Sequence, residues 1–192
     1  MSSSHRCAAA IIAGGKATRM GGAFKPFLTL EGRRIIDRQL DVLAALFSEI
    51  YISANDPEPF FGFDLPVVAD SPPDRGPLGG ILAVLEASKS EHVFVVACDM
   101  PFIVPDAVRL VANYPDDGAI IVPVVNGKPE PLFARYSTSC AQSIRLRLAS
   151  GQRRVTCFHA DVAVRVVGED ELRAVDPTLQ SLTNVNRPED LR

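Results

Sequence analysis

Ala8-Ala9-Ala10-Ile11-Ile12-Ala13-Gly14-Gly15-Lys16-Ala17-Thr18-Arg19-Met20-Gly21-Gly22-Ala23-Phe24-Lys25 passes from six apolar residues into a segment with four glycines. An unbroken apolar run of this length, closed by glycine, reads as a strand buried on both faces of a sheet. The glycines let backbone N–H groups come close to a phosphate, and Arg19 and Lys25 add positive charge beside them. A plain glycine turn is the competing reading, but a turn alone needs no cation. The Walker A spacing fails, because Ala10 and Ala17 stand where its first glycine and its hydroxyl belong, and G-x-G-x-x-G is absent. The stretch therefore excludes a P-loop NTPase and a dinucleotide-binding domain while keeping a phosphate-facing loop.

Outward from this strand the chain alternates short apolar runs with helical patterns. Ile36, Leu40, Leu43 and Phe47 mark an amphipathic helix, and Ile50 to Ser53 a strand. Leu78, Ile81, Leu82 and Leu85 form a second helical stripe, followed by a buried strand over Val93 to Ala97. Pro105 opens a third helix carrying Val108 and Val111, and Ile120 to Val122 is a further strand. The later part is more mixed: a helix over about Ser139 to Ala149, a strand near Val162 to Val167 and a short helix opened by Pro188. The pattern predicts a three-layer α/β/α, Rossmann-like fold with a mainly parallel sheet, mixed toward one edge. No repeat or long linker divides the chain, so one domain over residues 1–192 is expected.

Composition narrows the class. With 47% hydrophobic residues the chain can build a full core, and a formal charge of −3 offers no broad attraction to nucleic acid or to an anionic membrane. No apolar run approaches the ~20 residues of a membrane span, and the run after His5 and Arg6 leads into Gly14-Gly15-Lys16 rather than a signal-peptidase site. Cys7, Cys98, Cys140 and Cys157 and the three histidines are scattered, which gives neither a zinc spacing nor a disulfide framework. A reduced, cytoplasmic protein acting on a small ligand is the expectation.

In an open parallel sheet ligands bind beyond the carboxyl ends of the strands, so the residue after each strand is informative. Asp99 follows the run Val93 to Ala97 in Cys98-Asp99-Met100-Pro101. A carboxylate there needs a cation or donors to offset its desolvation, and a Mg²⁺ held jointly with substrate phosphates is an economical account. An Asp capping the next helix is the alternative. Asp70, after Pro66-Val67-Val68-Ala69, is a weaker case of the same kind. Gly76-Pro77-Leu78-Gly79-Gly80 opens a helix with residues small enough to admit a base or ribose, or simply to pack closely on the sheet.

Ile12-Ala13-Gly14-Gly15-Lys16-Ala17-Thr18-Arg19-Met20-Gly21-Gly22, Lys25-Pro26, Gly76-Pro77-Leu78-Gly79-Gly80-Ile81 and Cys98-Asp99-Met100-Pro101-Phe102 occur in this order. Lys128-Pro129-Glu130-Pro131-Leu132-Phe133-Ala134 and Asn184-Val185-Asn186-Arg187-Pro188-Glu189-Asp190-Leu191 follow. Together they resemble the signature of the molybdenum cofactor guanylyltransferases, within the wider nucleotidyltransferase superfamily. Phe24 stands where that family often has Asp, and Gly80 where alanine is usual.

The resemblance implies transfer of GMP from GTP to the terminal phosphate of molybdopterin-bound molybdenum, with release of pyrophosphate. It implies Lys25, Arg19 and Asp99 as catalytic residues, with Asp99 holding Mg²⁺. Nucleotide contacts are expected at Ile12, Ala13, Gly14, Gly15, Lys25, Asn55, Asp70, Gly79 and Asp99. Asn184 and Asn186, two apart in an extended segment, face one side and are candidates for the pterin or its phosphate, or for capping the helix beyond them. Arg145, Arg147, Arg153 and Arg154 either help receive the anionic cofactor or form a solvated basic face. Transient contact with cofactor-delivering or molybdoenzyme-maturation proteins is expected, and no nucleic-acid or membrane partner. The alternatives are a related transferase using CTP or another phosphorylated acceptor, and a non-catalytic nucleotide-binding module.

Overall fold

The computed structural model describes residues 7–14, 19–20, 23–70 and 73–185. β1 (Cys7–Ile12) leads into two short antiparallel ribbons, β2 (Arg19–Met20) with β3 (Ala23–Phe24) and β4 (Thr29–Leu30) with β5 (Arg33–Arg34). There follow α1 (Ile35–Ala44), β6 (Ile50–Ser53), β7 (Val67–Val68), α2 (Gly76–Ala87), β8 (His92–Ala97) and α3 (Pro105–Ala112). The remaining elements are β9 (Ile120–Val125), β10 (Lys128–Pro129), β11 (Phe133–Ser137), α4 (Ala141–Ala149), β12 (Val164–Val167) and α5 (Glu169–Val175).

One eight-stranded sheet runs in the order β10-β9-β11-β8-β1-β6-β7, with β12 parallel to β9 off this path. β1 lies between β8 and β6, parallel to both, with Ile12 opposite Ala97 and Ser53. β11 runs antiparallel between β8 and β9, which confines the mixed character to one half of the sheet.

The alternation of side chains along β1 builds the three layers. Ala9 and Ile11 join Ile36, Leu43, Val108, Val111 and Leu172 in the core beneath α1, α3 and α5. Ala8, Ala10 and Ile12 join Leu78, Ile81, Leu85, Ile144 and Leu148 in the core beneath α2 and α4. α2 is apolar around most of its circumference because it touches both the sheet and α4.

The expected elements are present with shifted ends. α1 stops at Ala44 because the Leu46 and Phe47 N–H groups both donate back to the Leu43 carbonyl. Phe47 lies beyond the helix and stacks on Phe94. The strand expected near Val162 starts at Val164, since a 3₁₀ segment occupies Val155–Asp161. The helix expected after Pro188 lies outside the described residues. α5 has no counterpart in the sequence reading. Its Glu169, Asp170 and Glu171 fill the first turn, and the Glu171 carboxylate accepts the Gly168 N–H at 2.9 Å. No helix among the described residues is long and apolar enough to cross a membrane, and all four cysteines are free thiols.

Candidate functional site

The carboxyl ends of β1, β8 and β6 are knit together by backbone bonds. The Cys98 N–H donates to the Ile12 carbonyl at 3.2 Å, and the Ala13 N–H to the Ser53 carbonyl at 2.8 Å. Gly14 follows in open backbone, where an added Cβ would lie 3.7 Å from the Ser53 carbonyl. This parallel junction sets the ends of β1 and β8 side by side, although they lie far apart in the chain.

Lys25 begins a 3₁₀ turn, Lys25–Phe27, and is buried. Its Nζ lies 2.9 Å from Asp99 Oδ2, with side-chain exposures of 10% and 19%. α3 starts only at Pro105 behind Val104, with no side-chain cap, so Asp99 is not a helix cap. Asp99 Oδ1 carries no hydrogen bond to a described residue. One carboxylate with a spare oxygen beside an ammonium fits the Mg²⁺ habit of taking few protein ligands and completing its shell with substrate phosphates. Among the described residues no cluster of three or more His, Cys, Asp or Glu side chains forms a ready-made cage. Burial pushes the neighbouring Cys98 thiol up to about 12, which leaves it protonated and unreactive.

A second group gathers at the start of α2. The Asn55 side-chain carbonyl accepts the Asp70 N–H at 2.9 Å, and Asp70 Oδ2 accepts the Arg75 N–H at 3.1 Å. Burial pushes the Asp70 carboxyl above its ordinary range, against these bonds. Gly79 lies against this carboxylate so closely that an added Cβ would sit 2.6 Å from Oδ2. Asn55, Asp70 and Gly79 are thus brought together, and Asp70 also ties the turn that opens α2.

On the far side of Asp99, Asp176 accepts the Gln180 and Ser181 N–H groups, and Ser181 Oγ accepts the Val104 N–H. This zips the segment before Asn184 onto the loop after Asp99, and the Val185 N–H donates to the Asp99 carbonyl at 2.8 Å. Asn184 is exposed beside that bond. Gly15 and Asn186 lie outside the described residues, and for Arg19 only the backbone, paired with Phe24 in the short ribbon, is described.

The turn before β11 completes this side. The Leu132 carbonyl accepts the Ala97 N–H at 2.9 Å, and the Tyr136 hydroxyl donates to the Pro131 carbonyl at 2.6 Å. Half-buried Glu130 is pushed above the usual carboxylate range by burial, which nearby Lys128 only partly opposes. Arg145 and Arg147 are engaged in ion pairs with Glu86 and Asp161, so half of the basic face braces α4 instead of facing the site, while Arg153 and Arg154 are exposed.

Two features went unread in the sequence. Phe24 packs against Phe27 and Phe60 with ring centroids 5.6 and 5.7 Å apart, so the turn carrying Lys25 is anchored by rings. Gln39 is wholly buried on α1 and bonds to the backbone around Asp99; the available signal was a polar residue three positions from Ile36 and four from Leu43 on the buried stripe.

Comparison with known proteins gives a consistent result. Residues 9–164 match the model of the MobA-like NTP transferase domain. A molybdenum cofactor guanylyltransferase from Desulfosudis oleivorans is 35% identical over 182 residues, 94% of this chain and 90% of its own length. In fold the chain resembles molybdopterin-guanine dinucleotide biosynthesis protein A from Archaeoglobus fulgidus, with a TM-score of 0.83 and 24% identity, covering 96% of this chain and 94% of that one. It also resembles 2-C-methyl-D-erythritol 4-phosphate cytidylyltransferase from Thermus thermophilus, with a TM-score of 0.69 and 16% identity, covering 95% and 94%.

Proposed function

The chain belongs to the MobA-like NTP transferase family, and on that premise we propose that it joins GMP from GTP to the terminal phosphate of the molybdopterin cofactor, releasing pyrophosphate. The observation that carries the site assignment is the Lys25–Asp99 pair, which sets an ammonium and a carboxylate 2.9 Å apart at the carboxyl end of the central strands.

The acceptor is already an anionic phosphate and needs no strong general base. One of its oxygens attacks the α-phosphorus of GTP, the bond from that phosphorus to the bridging oxygen breaks, and the electron pair leaves on pyrophosphate. The difficulty is bringing anions together in line, which calls for cations and fixed positions. A divalent cation, Mg²⁺ in this reading, would be held by Asp99 and would supply charge neutralisation between the two phosphates. Lys25 and Arg19 offset the charge that develops toward the departing pyrophosphate. The backbone at Ile12, Ala13, Gly14 and Gly15 with Asn55, Asp70 and Gly79 receives the nucleoside. Asn184, beside the Val185–Asp99 backbone bond, and Asn186 receive the pterin or its phosphate. We place the reaction in the cytoplasm, where all four thiols stay reduced.

Pyrophosphate release from GTP in the presence of molybdenum cofactor tests the reading, with CTP as the competing nucleotide. Asp99→Asn leaves Lys25 an acceptor and removes the carboxylate charge. We expect it to fold and to lose turnover by about 10³-fold. Unchanged turnover would remove Asp99 from the mechanism, and equal use of CTP would point to a different transferase of the same fold.

A further inference from the structure

Gln39 occupies the sheet-facing stripe of α1, wholly buried, where helical spacing from Ile36 and Leu43 calls for an apolar side chain. Its amide nitrogen donates to the Ala97 carbonyl at 2.7 Å and to the Met100 carbonyl at 3.0 Å. These carbonyls flank Cys98 and Asp99, so one side chain from another element grips both ends of the turn that carries the carboxylate. A primary amide suits the task, because its two N–H groups diverge in one plane, and two facing carbonyls fix which end is nitrogen. Gln39 Oε1 is buried without a hydrogen-bond partner among the described residues. An aliphatic residue would have packed here without that desolvation cost, so packing alone does not account for a glutamine.

The same helix mounts the other half of the ion pair. The Ile35 N–H, in its first turn, donates to the Leu28 carbonyl at 3.0 Å, and the Leu28 N–H donates to the Lys25 carbonyl at 3.1 Å. α1 therefore holds the Lys25 turn at its amino end and the Asp99 turn through Gln39. We propose that Gln39 is a positioning residue that fixes the Asp99 turn, and with it the carboxylate, for the divalent cation used in GMP transfer. The inference rests on the transferase reading of Asp99 given above.

Mn²⁺ is the probe, titrated by electron paramagnetic resonance onto the full chain with a GTP analogue whose α–β bridge cannot be cleaved. Gln39→Met keeps the volume and removes both donors. It should weaken Mn²⁺ binding by about 10-fold or more, and lower kcat with little change in the KM for GTP. Ile144→Val, in the opposite core, is the control: it should lose thermal stability yet bind Mn²⁺ as the wild type does. Wild-type Mn²⁺ affinity in a folded Gln39→Met protein, or an equal loss in the control at matched stability, would overturn the proposal. A second measurement needs no substitution at Gln39. The Gln39 side-chain amide resonances of the wild type should shift when Mg²⁺ joins the analogue complex, and stay still in Asp99→Asn; resonances unmoved in the wild type would refute the assignment. A wild-type protein that binds no Mn²⁺ with the analogue would instead overturn the transferase reading of Asp99, and this proposal with it.

Discussion

Gly79 and Gly80 are neighbours in the first turns of α2, and alanine at either position gains about 1 kcal/mol of helix propensity. Their surroundings should give opposite outcomes. At position 79 a Cβ would lie 2.5 Å from Arg75 Cβ and 2.6 Å from Asp70 Oδ2. That carboxylate is buried and holds the Arg75 N–H, so it cannot withdraw without giving up the bond. Overpacking costs about 1–3 kcal/mol and a lost hydrogen bond to a carboxylate about 1.5–3 kcal/mol. Against the propensity gain, Gly79→Ala should be destabilising by about 2 kcal/mol, a fall in Tm of about 4–8 °C for a chain of this size. At position 80 the obstacle is Ser53 Oγ, a buried hydroxyl with no hydrogen-bond partner among the described residues, which can rotate away without breaking a bond to any of them, and Ile12 Cγ2 at 3.4 Å is an ordinary contact. Gly80→Ala should leave Tm unchanged or raise it by about 2–4 °C. Thermal unfolding followed by circular dichroism separates the two. A Gly79→Ala protein as stable as the wild type, or a Gly80→Ala protein that falls as far as Gly79→Ala is expected to, would refute this account of how α2 meets Asp70.

Two more substitutions probe the frame beneath the site. Glu49 is opposed by partial burial, yet donors from Ser90, Tyr51 and the Lys89 N–H hold its carboxyl below the ordinary value. A lowered folded-state pKa stabilises the fold at neutral pH, and the contribution is lost as pH falls through that lowered value. Gln at position 49 should therefore cost about 1 kcal/mol at pH 7, and urea unfolding repeated in acid should show the gap closing; a gap that widens in acid would contradict it. Arg135, 3% exposed, donates to the carbonyls of Ala112, Tyr114 and Asp116, which a lysine ammonium cannot span as a fork. Lys there should lower stability by about 2 kcal/mol in the same assay, and an unaltered midpoint would count against the fork.

The half of the molecule that could be read in advance is the half in which sequence pattern and burial coincide. β1 and β8 are buried on both faces, so they appear as unbroken apolar runs, and Asp99 stands out as a charge placed directly after one of them. What stayed hidden depends on pairing or on exceptions to pattern. β11 carries Arg135 in its middle, which breaks the apolar run, and nothing local dictates that it insert antiparallel between β8 and β9. α5 buries only Leu172 along a charged helix, too little for a stripe to register. At the site, Lys25 and Asp99 are readable as residue types, but their 2.9 Å approach depends on α1, whose contribution runs through a glutamine that periodicity puts on the buried stripe and polarity alone assigns to solvent.

The hydrogen bond from the Val185 N–H to the Asp99 carbonyl also bears on synthesis. During translation the parallel strands β1, β6, β7 and β8 can pair as soon as they leave the ribosome, but the wall beside Asp99 stays open until Val185 has emerged as well. A nascent chain can therefore form the sheet around β1 well before the segment that ends at Val185 closes beside Asp99. Any product stopped short of that residue would lack this bond and carry the Lys25–Asp99 pair beside an edge left open to water.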